Sequence, residues 1–236
     1  MRRNIYSYIP WGQSFYLIVI IFFALLLPLL FIFFANTVIS SFNRLGFSVF
    51  SGLAIFILTL LGSSVNIPIK TIVSKTPFYK EKFVSFFGIN YRVPAFATQD
   101  TIVAINLGGA VIPMLVSIFQ LTRLLILHNA WSFFASIIAT IIVSNIIHLF
   151  AKPVEGLGIA IPLFIPPIVT VIVTLLLNPA FHAPVAYISG TLGTLIGADL
   201  MNLKRVNELG APIVSIGGAG TFDGIFLTGI ISVILV

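Results

Sequence analysis

Apolar residues in this chain fall into seven blocks, each near the roughly 20 residues that a helix needs to cross a hydrocarbon core. They cover 14–35, 46–66, 101–122, 131–150, 159–177, 184–203 and 213–236. The fifth block carries Pro162, Pro166 and Pro167 and is expected to be kinked or partly broken. The seventh holds Gly217, Gly218 and Gly220 ahead of Asp223. Such residues are tolerated at membrane depth where neighbours or water re-satisfy the backbone. Between the second and third blocks lies the one sizeable polar stretch, a loop over 67–100. Inside it, 83–87, then Gly88-Ile89-Asn90, then 91–93 read as a short hairpin on the membrane surface, lysines toward anionic headgroups. A sharper reading makes it an edge strand for an extended peptide. The pattern predicts a single-domain, all-α, polytopic membrane bundle of about seven transmembrane helices.

Composition agrees. Of 236 residues, 59% are hydrophobic and 8% charged, with mean hydropathy +1.17; a soluble domain carries about 25% charged residues. Cysteine is absent, which excludes disulfides, thiolate catalysis, Cys-ligated zinc and iron–sulfur clusters. Arg2 and Arg3 precede an apolar run over 15–35 that is too long for the roughly 7–15 residues of a signal-peptide core, so it reads as a retained first helix. Trp11, Trp131, Tyr6, Tyr8 and Tyr16 fit interfacial anchoring.

Charge then sets direction. With seven spans, ten of the 12 basic residues fall on the side of the N-terminus, and only Arg44 and Arg123 on the other. By the positive-inside rule the N-terminus is cytoplasmic and Val236 outside, in a multi-pass protein of the cell membrane. The net charge of +6 therefore reports topology. The basic residues are spread over several loops without a dense cluster, so nucleic acid is not an expected partner; the lipid bilayer is. His128, His148 and His182 share no helical spacing with acids, so no metal site and no cofactor are expected. Glu155-Gly156-Leu157-Gly158 lacks the context of a phosphate loop.

Two carboxylates stand out against this background. Asp199 and Asp223 lie within the sixth and seventh blocks. A carboxylate at the centre of a membrane helix costs about 2.5–3.5 kcal/mol, so acids kept there face the bundle interior or water. Asp100 and Glu155 sit at the starts of the third and fifth blocks, where an acid is normally a cap or a dipole partner. On the sixth helix Ala186, Gly190, Gly193 and Gly197 form a small-residue stripe that lets a neighbour approach closely. Asp199 lies on the far side of it, near Thr191, Leu195 and Asn202. The linker from Lys204 to Gly210 is short, which makes the sixth and seventh helices antiparallel neighbours and brings both acids to comparable depth. Two carboxyls a few ångström apart cannot both ionise, and a shared proton equips one as base on a water and the other as acid toward a carbonyl.

Asp199-Leu200, following a small-residue helix, resembles the first aspartate of the presenilin and signal-peptide-peptidase group of intramembrane aspartyl proteases. Gly220-Thr221-Phe222-Asp223 with the apolar tail after it is similar to the Gly-x-Gly-Asp motif carrying that group's second aspartate. The chain departs from the group's pattern in two places: Phe222 stands where the motif has glycine, and the nearest substitute for the later Pro-Ala-Leu element, Ala211-Pro212-Ile213, lies in the wrong place, before Asp223. The resemblance implies an aspartyl hydrolase acting on membrane-embedded peptide, with Asp199 and Asp223 catalytic and Gly220, Thr221 and Asn202 lining the site. Over most of its length the chain also resembles a set of uncharacterised prokaryotic membrane proteins sharing Val65-Asn66-Ile67-Pro68, Ala104 to Ala110, Gly-Ala-Asp-Leu and Gly-Thr-Phe-Asp-Gly.

Two other classes compete. Three spans, a linker span and three more is the layout of parallel-repeat carriers, and Asp199, Asp223, Asn66, Asn106 and the nearby Asp100 then line a site for an ion or small solute. A non-catalytic assembly subunit is the third. The sequence leaves oligomeric state open.

Overall fold

The computed structural model describes residues 13–86, 89–154, 158–218 and 224–236. Among these are seven α-helices: α1 Gln13–Arg44, α2 Val49–Gly62, α3 Ile112–Ile126, α4 Ala130–Phe150, α5 Ile165–Leu177, α6 His182–Thr194 and α7 Gly224–Leu235. Five strands accompany them: β1 Asn66–Phe86, β2 Ile89–Asn106, β3 Lys152–Val154, β4 Gly158–Ala160 and β5 Ile213–Ile216. Three helical stretches are long and apolar enough to cross a membrane: Phe15–Arg44, Leu107–Ile126 and Ala130–Phe150. Shorter apolar helices cover Val49–Gly62, Ile165–Leu177 and Gly224–Leu235.

The molecule is mostly helical, as the apolar blocks predict, but it is not all-α. The expected loop over 67–100 is an antiparallel ribbon that pairs Asn66 with Asn106 at its base and Phe86 with Ile89 near its tip. Of the hairpin expected at 83–93, residues 83–86 and 89–93 are paired strands of that ribbon, and 87 and 88 lie outside the described residues. β5 joins β2 in parallel, Ile102 opposite Ile213 and Ile105 opposite Ile216, giving the sheet order β1-β2-β5. The third and seventh blocks therefore begin as strand. The fifth block is interrupted, as its prolines predict: β4 ends at Ala160, and α5 starts at Ile165 with Pro166 and Pro167 in its first turn. Proline is accepted there because those N–H groups have no helical partner.

Helix α6 is the axis. Every residue from Pro184 to Thr194 except Leu192 is buried, against α3, α4, α5 and α7. Lipid is as apolar as a leucine side chain, so close approach rather than water exclusion drives this packing. The small-residue stripe does so in two directions. A Cβ on Gly193 would come within 2.6 Å of Val143, and one on Gly197 would strike the Ser144 carbonyl, so both serve α4. Gly190 instead faces Thr170 of α5 and Thr228 and Ser232 of α7. The N-terminal part of α1 lies outside this packing, with Leu17 to Phe33 largely exposed.

Successive helices alternate in direction and give the bundle two ends. At the end away from the sheet, the Arg44 guanidinium donates to the carbonyls of Val233 and Ile234, closing the C-terminus of α7. The Arg123 guanidinium and the Gln120 amide (2.9 Å) donate to the carbonyl of Leu45. The two arginines that break the charge asymmetry are thus both bound to carbonyls at helix ends, where a cation meets the negative pole of the helix.

Candidate functional site

The sheet end is where the chemistry-bearing residues gather. Two π-helical turns interrupt the regular helices here, Leu107–Val111 before α3 and Leu195–Asp199 after α6. Such turns occur mostly as single insertions, frequently at functional sites. Both converge on Gly217. β5 ends at Ile216, and Gly217 and Gly218 follow at φ +86° and +85°, a left-handed geometry that glycine adopts without strain. The turn aims the Gly217 N–H at the Asp199 carboxylate, Oδ2 accepting at 2.7 Å. On its other side the Gly217 carbonyl lies against Gly109 so closely that no Cβ fits between them.

Asn106 organises the first π turn. Its Oδ1 accepts the Gly109 N–H at 2.7 Å, and its Nδ2 donates to Ser63 O at 2.6 Å and Asn66 Oδ1 at 3.0 Å. Ser215 Oγ donates to the same Asn66 oxygen at 2.6 Å. One buried amide therefore ties the ends of α2, β1 and β2 to the start of α3, and Asn66 extends the tie to β5. Replacing Asn106 by alanine strands the Gly109 N–H and the Ser63 carbonyl; the expected loss is about 1–3 kcal/mol, read as a lower melting temperature in detergent.

Asp199 is half-buried on the wall of a cavity of about 280 Å³, together with Thr194, Ala198, Pro166, Ile225 and Gly224. The rest of the wall is the segment Ile159 to Leu163 that joins β4 to α5. Its lining is mixed, with polar atoms supplying nearly half of the exposed surface, and it is large enough for several waters. Gly224, the residue that follows Asp223 in the chain, is part of this wall. Asp223, Gly220 and Thr221 lie outside the described residues. The antiparallel packing of α6 on α7 expected from the short linker is present, Gly229 lying against Thr191 and Tyr187. The linker itself is a 3-10 helix, Leu200–Glu208, followed by β5.

The remaining expected site residues separate. Asn202 is fully buried, and its Nδ2 reaches Ala198 O (2.8 Å), Gly197 O (3.2 Å) and His148 Nδ1 (3.1 Å). It pins the end of α6 to α4 rather than facing the cavity. Asp100 is not a helix cap: it is an exposed residue of β2 opposite Val73, seven positions before the first helical turn, which Asn106 caps instead. It is not part of the wall around Asp199. Asn66 and Asn106 do sit near Asp199, linked through Gly109 and Gly217, but with their side chains turned to protein partners. Sequence reasoning missed the Gly217 N–H, the β5 pairing and the His148–Asn202 contact. Gly217-Gly218 was the available signal, marking a backbone break without naming its partner.

Residues 60–235 match the family model described as protein of unknown function, DUF1614, and the chain belongs to that family. No curated protein and no solved structure matches it. The family brings no activity with it, so the likeness to aspartyl proteases rests on the residues alone.

Proposed function

We propose that the protein is a multi-pass cell-membrane protein of seven spans whose Asp199 and Asp223 act together as an aspartyl hydrolase on membrane-embedded peptide. One observation carries the reading: Asp199 and Gly224, the neighbour of Asp223 in sequence, line the same cavity between α6, α7 and the β4–α5 connection. The Gly217 N–H orients one carboxylate oxygen. In the hydrolysis, one carboxylate takes a proton from water as it attacks the peptide carbonyl, and the partner, protonated, gives its proton to the carbonyl oxygen. The mixed wall, with Ile159, Ile161, Leu163 and Ile225 beside Asp199 and Thr194, suits both an apolar peptide and the water that attacks it.

Orientation follows the charges. Lys70, Lys152, Lys204 and Arg205 all belong to the sheet end, which the positive-inside rule puts in the cytoplasm together with the site. The carrier reading loses support from Asn66 and Asn106, whose side chains are engaged by Ser63, Gly109, Ser215 and each other.

The test uses the full chain in proteoliposomes with a single-pass model peptide, fragments being read by mass spectrometry. Cleavage is expected from the native chain and not from Asp199→Asn or Asp223→Asn. Undiminished cleavage by either variant, or none by the native chain across a panel of such peptides, would overturn the proposal.

A further inference from the structure

A second cavity, about 420 Å³, lies between the sheet and the 3-10 helix Leu200–Glu208. Its walls are Ile72 of β1, Val103 of β2, Ile216 of β5 and Leu203 of the 3-10 helix, with Lys70 and Lys204 facing it from the two sides. The position of Lys70 is set by a bulge. The register runs Pro68 opposite Ala104 and then Lys70 opposite Val103, leaving Ile69 as the extra residue. A bulge changes which face the following residues occupy. Without it Ile69 would pair with Val103; with it, a lysine shares the face of Val103 and Ile216 that packs on the 3-10 helix.

Three features identify what belongs there. The interior is apolar, so the occupant brings a hydrocarbon part. Lys70 and Lys204 are exposed and bring two positive charges to the lining, so the occupant brings negative charge. Around the sheet base Val65, Ile67, Ile69 and Ile213 are each about half exposed, a collar suited to lipid and not to water. Lysines just outside such a collar sit at headgroup depth, their stems along the apolar surface and their ammonium groups at phosphate. We infer that this crevice is a binding site for an anionic phospholipid, its phosphate between Lys70 and Lys204 and the first part of an acyl chain against Ile72, Val103, Leu203 and Ile216. The site is separate from the Asp199 cavity, and its occupancy does not depend on any hydrolytic activity.

The experiment reconstitutes the full chain in nanodiscs of equal phosphatidylglycerol and phosphatidylcholine, transfers it to detergent, and reads retained lipid by native mass spectrometry. The native chain is expected to retain phosphatidylglycerol in preference. Lys70→Gln and Lys204→Gln each lower that preference about fivefold, whereas Lys152→Gln, an equal loss of charge on β3, leaves it unchanged. Ile72→Trp, which fills the crevice without altering charge, abolishes retention. Equal retention of both lipids by the native chain, or a loss with Lys152→Gln as large as with the other two, would overturn the assignment. So would displacement of phosphatidylglycerol by millimolar inorganic phosphate, which would mark a plain anion site. Should the variants fail to fold, the native lipid preference and the phosphate competition decide alone.

Discussion

Gly109→Ala is expected to destabilise the protein by about 3 kcal/mol or more, at or beyond the top of the usual range for overpacking. Flexible side chains can yield to an added methyl group, but here the obstacle is backbone. The new Cβ would overlap the Gly217 carbonyl, with the carbonyl carbon at 2.9 Å and Asn106 Oδ1 at 3.3 Å. Gly217 cannot retreat without cost, because its N–H is committed to Asp199. A displacement of Gly217 therefore also releases the carboxylate. The variant should lose stability and, on the proposed reading, hydrolytic activity; about 3 kcal/mol is a large part of a typical domain's roughly 5–15 kcal/mol. Gly108→Ala, which meets Thr59 O and the backbone at Gly62 and Ser63, is expected to be comparably damaging through α2, without touching Gly217. Detergent melts of the two variants, with the hydrolytic assay alongside, separate fold from site.

Asp199→Asn is the converse case, a small change in fold and a large one in chemistry. An asparagine oxygen still accepts the Gly217 N–H, so the melting temperature should move by no more than about 1 kcal/mol equivalent. On the proposed hydrolase reading, the amide can neither take a proton from water nor hold one for a carbonyl, so turnover should fall by about 10²–10⁴-fold. A variant that melts normally, binds peptide and does not cut it is the expected outcome. Full turnover by Asp199→Asn would remove this residue from the mechanism.

Much of the helical frame was legible as hydropathy. The blocks at 131–150 and 14–35 became α4 and the exposed part of α1 because length and apolarity alone decide such helices. The strands were not legible, for identifiable reasons. Thr101 to Ile105 is apolar enough to pass for the start of a span, and its partner β5 lies more than a hundred residues away, so nothing local distinguishes strand from helix. The ribbon carries Pro68, Pro77 and Pro94, which argue against a strand in any local reading. Register shifts between Pro68 and Lys70 and between Val73 and Pro77 absorb the first two. For the site, the acid on α6, the small-residue stripe and the antiparallel α6–α7 pair were all readable. The backbone N–H that orients Asp199 was not, since any residue has one and only the fold aims it. Asp100 misled because an acid before an apolar block looks like a cap until the block is known to start as strand.

Asp199 and Asp223 are proposed to face one cavity, and because the sequence holds no cysteine their separation can be read by cross-linking. A chain carrying Asp199→Cys with Asp223→Cys has only those two thiols. A disulfide requires Cβ atoms about 3.5–4.5 Å apart, and a short bismethanethiosulfonate linker spans the slightly wider gap left by a bridging water. Under mild oxidation or with that linker, the doubly substituted full chain in membranes should become cross-linked within one molecule, seen as a mass change with both thiols lost to maleimide. Two thiols that stay fully reactive to maleimide after both treatments would contradict the account.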